Sequence, residues 1–194
     1  GLKVWQADTG ELSAEFETRD KIISLSAAPQ GSLVAMVLGN GALRVLNVET
    51  GEELLLGQYP GESTTLTWSF DARYLAVGMD RMIEVWDSVD QEWVQSIHTA
   101  ENTFALSWGK ESHLLASGGY HGIINLWSGE SGENVLRIAG HTRAVTALAW
   151  SPQGDSLASG GEDRIIRIWD VDARKERSQL LPGHSGPMED LAWS

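Results

Sequence analysis

Cysteine is absent from this 194-residue chain, which excludes disulfides, thiolate zinc sites and thiol chemistry together. Basic residues are scarce: 14 Lys and Arg stand against 27 Asp and Glu, a formal charge of −13. Binding a phosphate backbone needs clustered cations, so nucleic acid is not expected as the main partner. No run of 18 apolar residues occurs, and the first residues do not follow a charged-then-apolar order. Neither a membrane span nor a signal peptide is therefore expected. Phe and Tyr number only three each, whereas Trp reaches 9 and Gly 21. With 42% apolar and 21% charged residues the composition is otherwise that of an ordinary globular protein, long enough to bury a core. An excess of Trp beside many Gly suggests a unit that reuses one Trp position and one Gly turn.

Two landmarks establish that unit. Apolar runs ending in Trp or a substitute recur at Lys3-Val4-Trp5, Arg44-Val45-Leu46, Glu84-Val85-Trp86, Asn125-Leu126-Trp127 and Arg167-Ile168-Trp169, 40–42 residues apart. A second set keeps the same period: Leu25-Ser26-Ala27, Leu66-Thr67-Trp68, Leu106-Ser107-Trp108, Leu148-Ala149-Trp150 and Leu191-Ala192-Trp193. Within each period apolar and β-branched residues alternate in short runs, as in Arg164–Trp169 and Ala144–Trp150, the signature of strands rather than helices. Turn residues separate the runs: Ser151-Pro152-Gln153-Gly154-Asp155, Gly160-Gly161-Glu162-Asp163 and Ser131-Gly132-Glu133. About four short strands fit each period.

Gly140-His141 and Gly183-His184, a strand ending Trp-Ser, Leu-Ala-Ser-Gly-Gly and then Trp169-Asp170 resemble the WD40 repeat. The resemblance covers essentially the whole chain and is most specific over residues 139–170. It implies an all-β fold, a β-propeller of four-stranded blades set radially around a channel. In that frame complete blades fall at 22–57, 63–97, 103–138 and 144–181, within one domain spanning 1–194. Partial blades flank them: Leu2–Trp5 as a third strand and Met188–Trp193 as an innermost strand. Propellers of this family commonly close with seven or eight blades, so the chain is expected to be part of a larger propeller and of a longer multidomain protein. Elsewhere the motifs are degenerate: Leu46-Asn47 and Trp127-Ser128 stand where Trp-Asp would be.

Ser159, His141 and Asp163 contain the ingredients of a hydrolase triad. The family frame gives them another role, since His141, Ser159, Asp163 and Trp169 match a hydrogen-bonded tetrad inside one blade, where a buried carboxylate needs donors. Other blades depart from it. Asp80 and Trp86 remain in the second, with Val77 for Ser and Tyr59 near the His position. The third keeps Ser117 and Trp127, with His121 in the Asp position and Thr99 in the His position. His98, His113 and His121 do not follow a metal-ligand spacing, and no phosphate-binding Gly-x-x-x-x-Gly-Lys loop occurs. No metal, cofactor or catalytic residue is expected. The acidic excess is spread through turns, as on a solvated rim.

The resemblance implies a protein-interaction scaffold or sensor working inside the cell, in the cytoplasm, with contacts on one face of the disc. Three positions per blade tend to point there. They fall on Lys21, Ile23 and Gly39; on Glu62, Thr64 and Met79; on Asn102, Phe104 and Tyr120; and on Ala144, Thr146 and Glu162, with Pro187 and Glu189 from the last, incomplete blade. Met79, Phe104 and Tyr120 would form an apolar anchor site. Glu62, Asn102, Glu162 and Glu189 would rim it and favour a basic protein or peptide. Phe104 and Met79 could instead pack between blades. The alternative function, an enzyme at the channel mouth, would have only Lys21, Glu62 and Glu162 to work with.

Overall fold

The structure is a computed structural model, and it describes residues 1–59, 65–110, 114–180 and 185–193, without the side chains of 179 and 180. Glu62, Thr64, His113 and His184 lie outside the described residues. Among those described, every regular element is a strand, so no helix is long and apolar enough to cross a membrane. The chain opens with a two-stranded sheet, β1 (Leu2–Trp5) and β2 (Leu12–Phe16). Four antiparallel sheets of four strands follow. The first holds β3 (Ile22–Ala27), β4 (Leu33–Leu38), β5 (Ala42–Asn47) and β6 (Glu53–Gln58). The second holds β7 (Thr65–Trp68), β8 (Tyr74–Met79), β9 (Met82–Asp87) and β10 (Glu92–His98). β11 (Thr103–Trp108), β12 (Leu114–Gly119), β13 (Ile123–Ser128) and β14 (Asn134–Ala139) form the third. β15 (Val145–Trp150), β16 (Ser156–Gly161), β17 (Ile166–Asp170) and β18 (Lys175–Leu180) form the fourth. Strand order in each sheet equals chain order, and the first strands β3, β7, β11 and β15 pack on one another in succession. Four blades thus stand side by side with their first strands innermost.

The period-2 alternation of each strand splits its apolar residues between two neighbours. On β4, Met36 and Leu38 face Leu2 of the two-stranded sheet, while Ala35 and Val37 join Leu66, Trp68, Leu75 and Val77 of the second blade. On β8, Ala76 turns instead toward Leu106 and Leu115 of the third. Ala116 and Leu126 of the third blade meet Val145, Leu148 and Trp169 of the fourth. The core therefore lies between blades, one cluster per interface. This is why a single blade cannot bury its own apolar faces. Where the blades converge there is little room. A Cβ on Gly78 would come within 2.8 Å of Thr103, and one on Gly118 within 2.6 Å of Val145.

The residue after the repeat Trp closes the hairpin between the third and fourth strands. Asp87 Oδ1 accepts the backbone N–H of Val89 and Asp90 at 2.9 and 3.0 Å, and Asp170 Oδ1 that of Ala173 at 2.8 Å. Asn47 Oδ1 does the same for Glu49 and Thr50, and Ser128 Oγ for Ser131. A short side-chain oxygen is all that this turn requires, so the departures at Asn47 and Ser128 keep the chemistry of Asp.

One expected element differs. Residues 188–193 form no ladder, because the second strand that pairs each inner strand in the other blades has no counterpart among the described residues. The segment is nonetheless seated like an inner strand: Met188 N donates to Gly161 O at 3.2 Å, and Thr146 Oγ1 donates to Met188 O. Trp193 Nε1 donates to Ala149 O at 2.9 Å.

Candidate functional site

The fourth blade contains a continuous chain of side-chain hydrogen bonds. Trp169 Nε1 donates to Ser159 Oγ at 2.7 Å, and Ser159 Oγ lies 2.7 Å from His141 Nε2. His141 Nδ1 lies 2.9 and 3.0 Å from the two oxygens of Asp163. The indole can only donate, so the serine hydroxyl passes its proton toward Nε2 and the imidazole N–H sits on Nδ1, facing the carboxylate. Backbone N–H groups of Thr142 and Ile165 complete the carboxylate's shell at 3.2 Å each. Burial pushes the His141 pKa down, outweighing the hydrogen bond and charge of Asp163, so the ring is held neutral. Burial pushes the Asp163 carboxyl up, but the hydrogen bonds from His141 and the two amides bring it below the usual carboxylate range. Ser159 is 0% exposed. Its Oγ is sealed from solvent and occupied by an indole N–H, which leaves no path for attack on a substrate.

The second and third blades, which also carry the repeat Trp, satisfy it differently. In the second, Trp86 Nε1 donates to Tyr59 Oη at 2.6 Å, and that hydroxyl donates to Glu84 Oε2 at 2.5 Å. Burial first, then the hydrogen bond and charge of Glu84, push the Tyr59 pKa well above its ordinary value. The acceptor is thus Glu84, two residues before Trp86 on β9, and not Asp80 in the turn before that strand. A single phenol spans the distance that His and Ser share in the fourth blade, which is why Val77 is tolerated. In the third, Trp127 Nε1 donates to Ser117 Oγ at 2.8 Å, and no side chain among the described residues continues the chain. The His121 ring is exposed and edge-on to Tyr120, with ring centroids 5.3 Å apart, so it does not take the place of the Asp.

The other candidate positions lie at the end of the blades where the inner strands begin. Phe104 is the residue skipped when pairing passes from Thr103↔Gly119 to Ala105↔Gly118. Ile23 and Thr146 occupy the same bulge in the first and fourth blades. A bulge re-aims the side chain it carries. Tyr120 is 62% exposed, Ile23 is exposed, and Phe104 and Met79 are half-buried, Met79 packing against the core between the first two blades. The hydrogen bond from Thr103 N to Asp80 O, 3.0 Å, draws the start of β11 to the end of β8, so Met79, Phe104 and Tyr120 share one end of adjacent blades. Asn102, Glu162, Pro187 and Glu189 are exposed there, as are Lys21 and Gly39. Ala144 is buried and presents nothing to a partner.

One residue here carries no periodic signal. Glu101 Oε2 accepts the backbone N–H of His121 at 2.6 Å, and Glu101 O accepts Thr99 Oγ1 at 2.7 Å. These bonds tie the interblade loop to the turn that presents Tyr120. Gly119 allows the approach, since a Cβ there would lie 2.6 Å from Asn102 O. Among the described residues, no three His, Asp or Glu side chains converge as a metal site would need.

Radial four-stranded sheets with interblade cores define a β-propeller architecture. Three segments, 55–87, 92–128 and 132–170, match the family described as WD domain, G-beta repeat. They cover more than half of the chain, and the chain belongs to the WD40-repeat family. It is 28% identical over 153 residues to a WD repeat-containing protein WDS homolog of Arabidopsis thaliana, covering 75% of this chain and 29% of that protein. It is 30% identical over 76 residues to Cell division cycle 20.1, cofactor of APC complex, of the same plant, covering 39% of this chain and 17% of that protein. A chain in the crystal structure of the mitotic checkpoint complex superposes with a TM-score of 0.74 at 23% identity, over 100% of this chain and 64% of that one. The chain thus spans less than a third of the curated relatives and under two thirds of the solved chain.

Proposed function

We propose that this chain is a non-catalytic scaffold module that holds a protein or peptide partner at the end of the blades where the inner strands begin. The observation that carries the reading is the exposed Tyr120, fixed by Glu101 and Gly119 beside the bulged Phe104 and within a rim of Asn102, Glu162 and Glu189. An aromatic anchor bordered by carboxylates suits a partner segment with an apolar residue next to Lys or Arg. The names of relatives support a protein partner, one being a cofactor of a complex and another a chain within one. On this reading Met79 contributes the edge of its side chain. The bonds among His141, Ser159, Asp163 and Trp169 serve to hold the fourth blade together. The reading carries an intracellular, cytoplasmic setting in a protein longer than this chain.

The test is affinity capture followed by mass spectrometry with the wild-type chain and with the double variant Tyr120→Ala/Glu162→Lys. Both altered side chains are exposed, so the melting temperature should not move. Loss of a specific partner from the variant supports the reading. Equal capture by both relocates the contact, and an enzyme activity that survives without any partner replaces the reading.

A further inference from the structure

At the opposite end of the blades, where each third strand turns into its fourth, one position recurs in the wedge between neighbouring blades. It is the residue two places after the repeat Trp or its Leu46 substitute: Val48, Ser88, Gly129 and Val171. The backbone seats these residues alike. The N–H of Val48, Ser88 and Val171 donates to the carbonyl just before the second strand, that of Ser32, Arg73 and Asp155, at 2.8, 2.8 and 3.3 Å. Val171 packs on the third blade's cluster with Leu114, Leu126 and Leu136, and Val48 packs on the cluster that holds Leu2. Ser88 is too short and too polar to do the same, and its hydroxyl is bonded to Ala72 O at 3.0 Å. Beneath it Leu33, Val45 and Leu54 of the first blade, the counterparts of Leu114, Leu126 and Leu136, line a hollow of about 500 Å³. The next interface, where Gly129 holds the position, also keeps a hollow, of about 260 Å³.

The rim of the larger hollow is acidic. Glu52 and Glu53 line it from the first blade and Ser88 and Gln91 from the second, with no Lys or Arg among the described residues that line it. Glu53 is engaged by Arg44 at 2.7 Å. The Glu52 carboxylate is exposed, accepts Thr50 Oγ1 at 3.2 Å and has no ion pair among the described residues. On the second blade Arg73 is held between Asp87 and Asp90, at 2.7 and 3.2 Å, so that turn is acidic too.

We infer that this hollow between the first and second blades receives a branched aliphatic side chain of a partner peptide, flanked by Lys or Arg. The aliphatic side chain takes the place that Val171 fills two blades on, and covering Leu33 and Leu54 removes apolar surface from water. The volume lies within the range of about 300–1,000 Å³ usual for ligand sites, so the neighbouring residue has room as well. A long basic side chain lays its aliphatic stem on the wall and keeps its charge at the rim, where Glu52 meets it. An acidic neighbour would face Glu52 and Asp90 as like charges. The Gln91 amide, which makes no hydrogen bond among the described residues, can serve the peptide backbone as donor and acceptor. This site is independent of the contact surface around Tyr120.

The experiment titrates the whole chain with the peptides Gly-Ser-Lys-Leu-Lys-Ser-Gly, Gly-Ser-Glu-Leu-Glu-Ser-Gly and Gly-Ser-Lys-Ser-Lys-Ser-Gly. Methyl resonances are followed by NMR, and those of the hollow are identified with Leu33→Met and Leu54→Met. The Lys-Leu-Lys peptide should shift both and bind about tenfold more tightly than Lys-Ser-Lys, as expected for one buried aliphatic side chain. It should bind about fivefold more tightly than Glu-Leu-Glu. Ser88→Val restores the apolar plug and should weaken binding about tenfold without lowering the melting temperature. Glu52→Lys, on an exposed side chain, should reverse the preference between the charged peptides and stands as the test if Ser88→Val lowers stability. Equal binding of Lys-Ser-Lys, shifts confined to residues around Tyr120, unchanged affinity in a stable Ser88→Val, or silence at millimolar peptide would overturn the inference. So would a concentration-dependent dimer that Ser88→Val dissolves, which gives the hollow to a second copy of the chain.

Discussion

Replacing Ser159 with Ala tests whether the hydrogen-bonded chain of the fourth blade is structural. The hydroxyl has two partners, Trp169 Nε1 and His141 Nε2, each 2.7 Å away, and the serine is fully buried. Deleting it leaves an indole donor and an imidazole nitrogen unpaired out of reach of water. At about 1–3 kcal/mol for each abandoned buried group, the variant should lose about 2–6 kcal/mol. The third blade supplies the control within the same molecule. Ser117, equally placed and buried, has among the described residues only Trp127 Nε1 to satisfy, at 2.8 Å. Ser117→Ala should therefore cost about 1–3 kcal/mol, and side-chain size and burial cancel in the comparison. Repeat arrays need not unfold in one step, so a single denaturation midpoint would blur the two sites. Amide hydrogen exchange resolves them: opening free energies on β16 should fall in Ser159→Ala, and those on β12 should fall less in Ser117→Ala. Equal losses, or a larger one at Ser117, would refute the assignment of His141 to the network.

Acid should weaken the fourth blade. His141 has a folded pKa below its ordinary value of about 6.5, so the unfolded chain binds a proton that the folded chain refuses, and stability falls as pH drops below that point. The urea midpoint should decline from pH 7.5 to 5.5 in the wild type and do so less in His141→Gln; parallel slopes would contradict the account. Asp163→Ala, which strips the His141 N–H and two backbone amides of their acceptor, should lower the melting temperature of the blade with no loss of any enzymatic activity. Tyr59→Phe should leave Trp86 Nε1 without its acceptor and destabilise the second blade by about 1–3 kcal/mol. Because Tyr59 resists ionisation in the folded state, stability should also fall as pH rises above about 10, and the variant should lose that dependence. Gly118→Ala drives a Cβ to within 2.6 Å of buried Val145 and should cost about 1–3 kcal/mol, whereas Gly186→Ala, with nothing within 4 Å, should be near neutral in the same assay.

What the sequence determined by itself is the local and periodic part of the fold. The two Trp landmarks, alternation within strands and Gly-rich turns are properties of neighbouring residues repeated every 40–42 positions. They were enough for the all-β class, the four-stranded blades and the family. Turn closure was legible for the same reason, since Asn47 and Ser128 can do locally what Asp87 does. Tertiary structure decided everything that depends on residues a blade apart. Glu84 in place of Asp80, the solvent-exposed ring of His121 and the Glu101 carboxylate on the turn below Tyr120 follow from distances across strands and loops that no spacing encodes. The hollow beneath Ser88 is the plainest case. In sequence Ser88 is one more member of a periodic set, and only the packing of Leu33 and Leu54 from the adjacent blade turns its small side chain into an open site. Burial in a propeller happens between repeats, so a repeat's own residues fix its shape while its neighbours fix which side chains remain free.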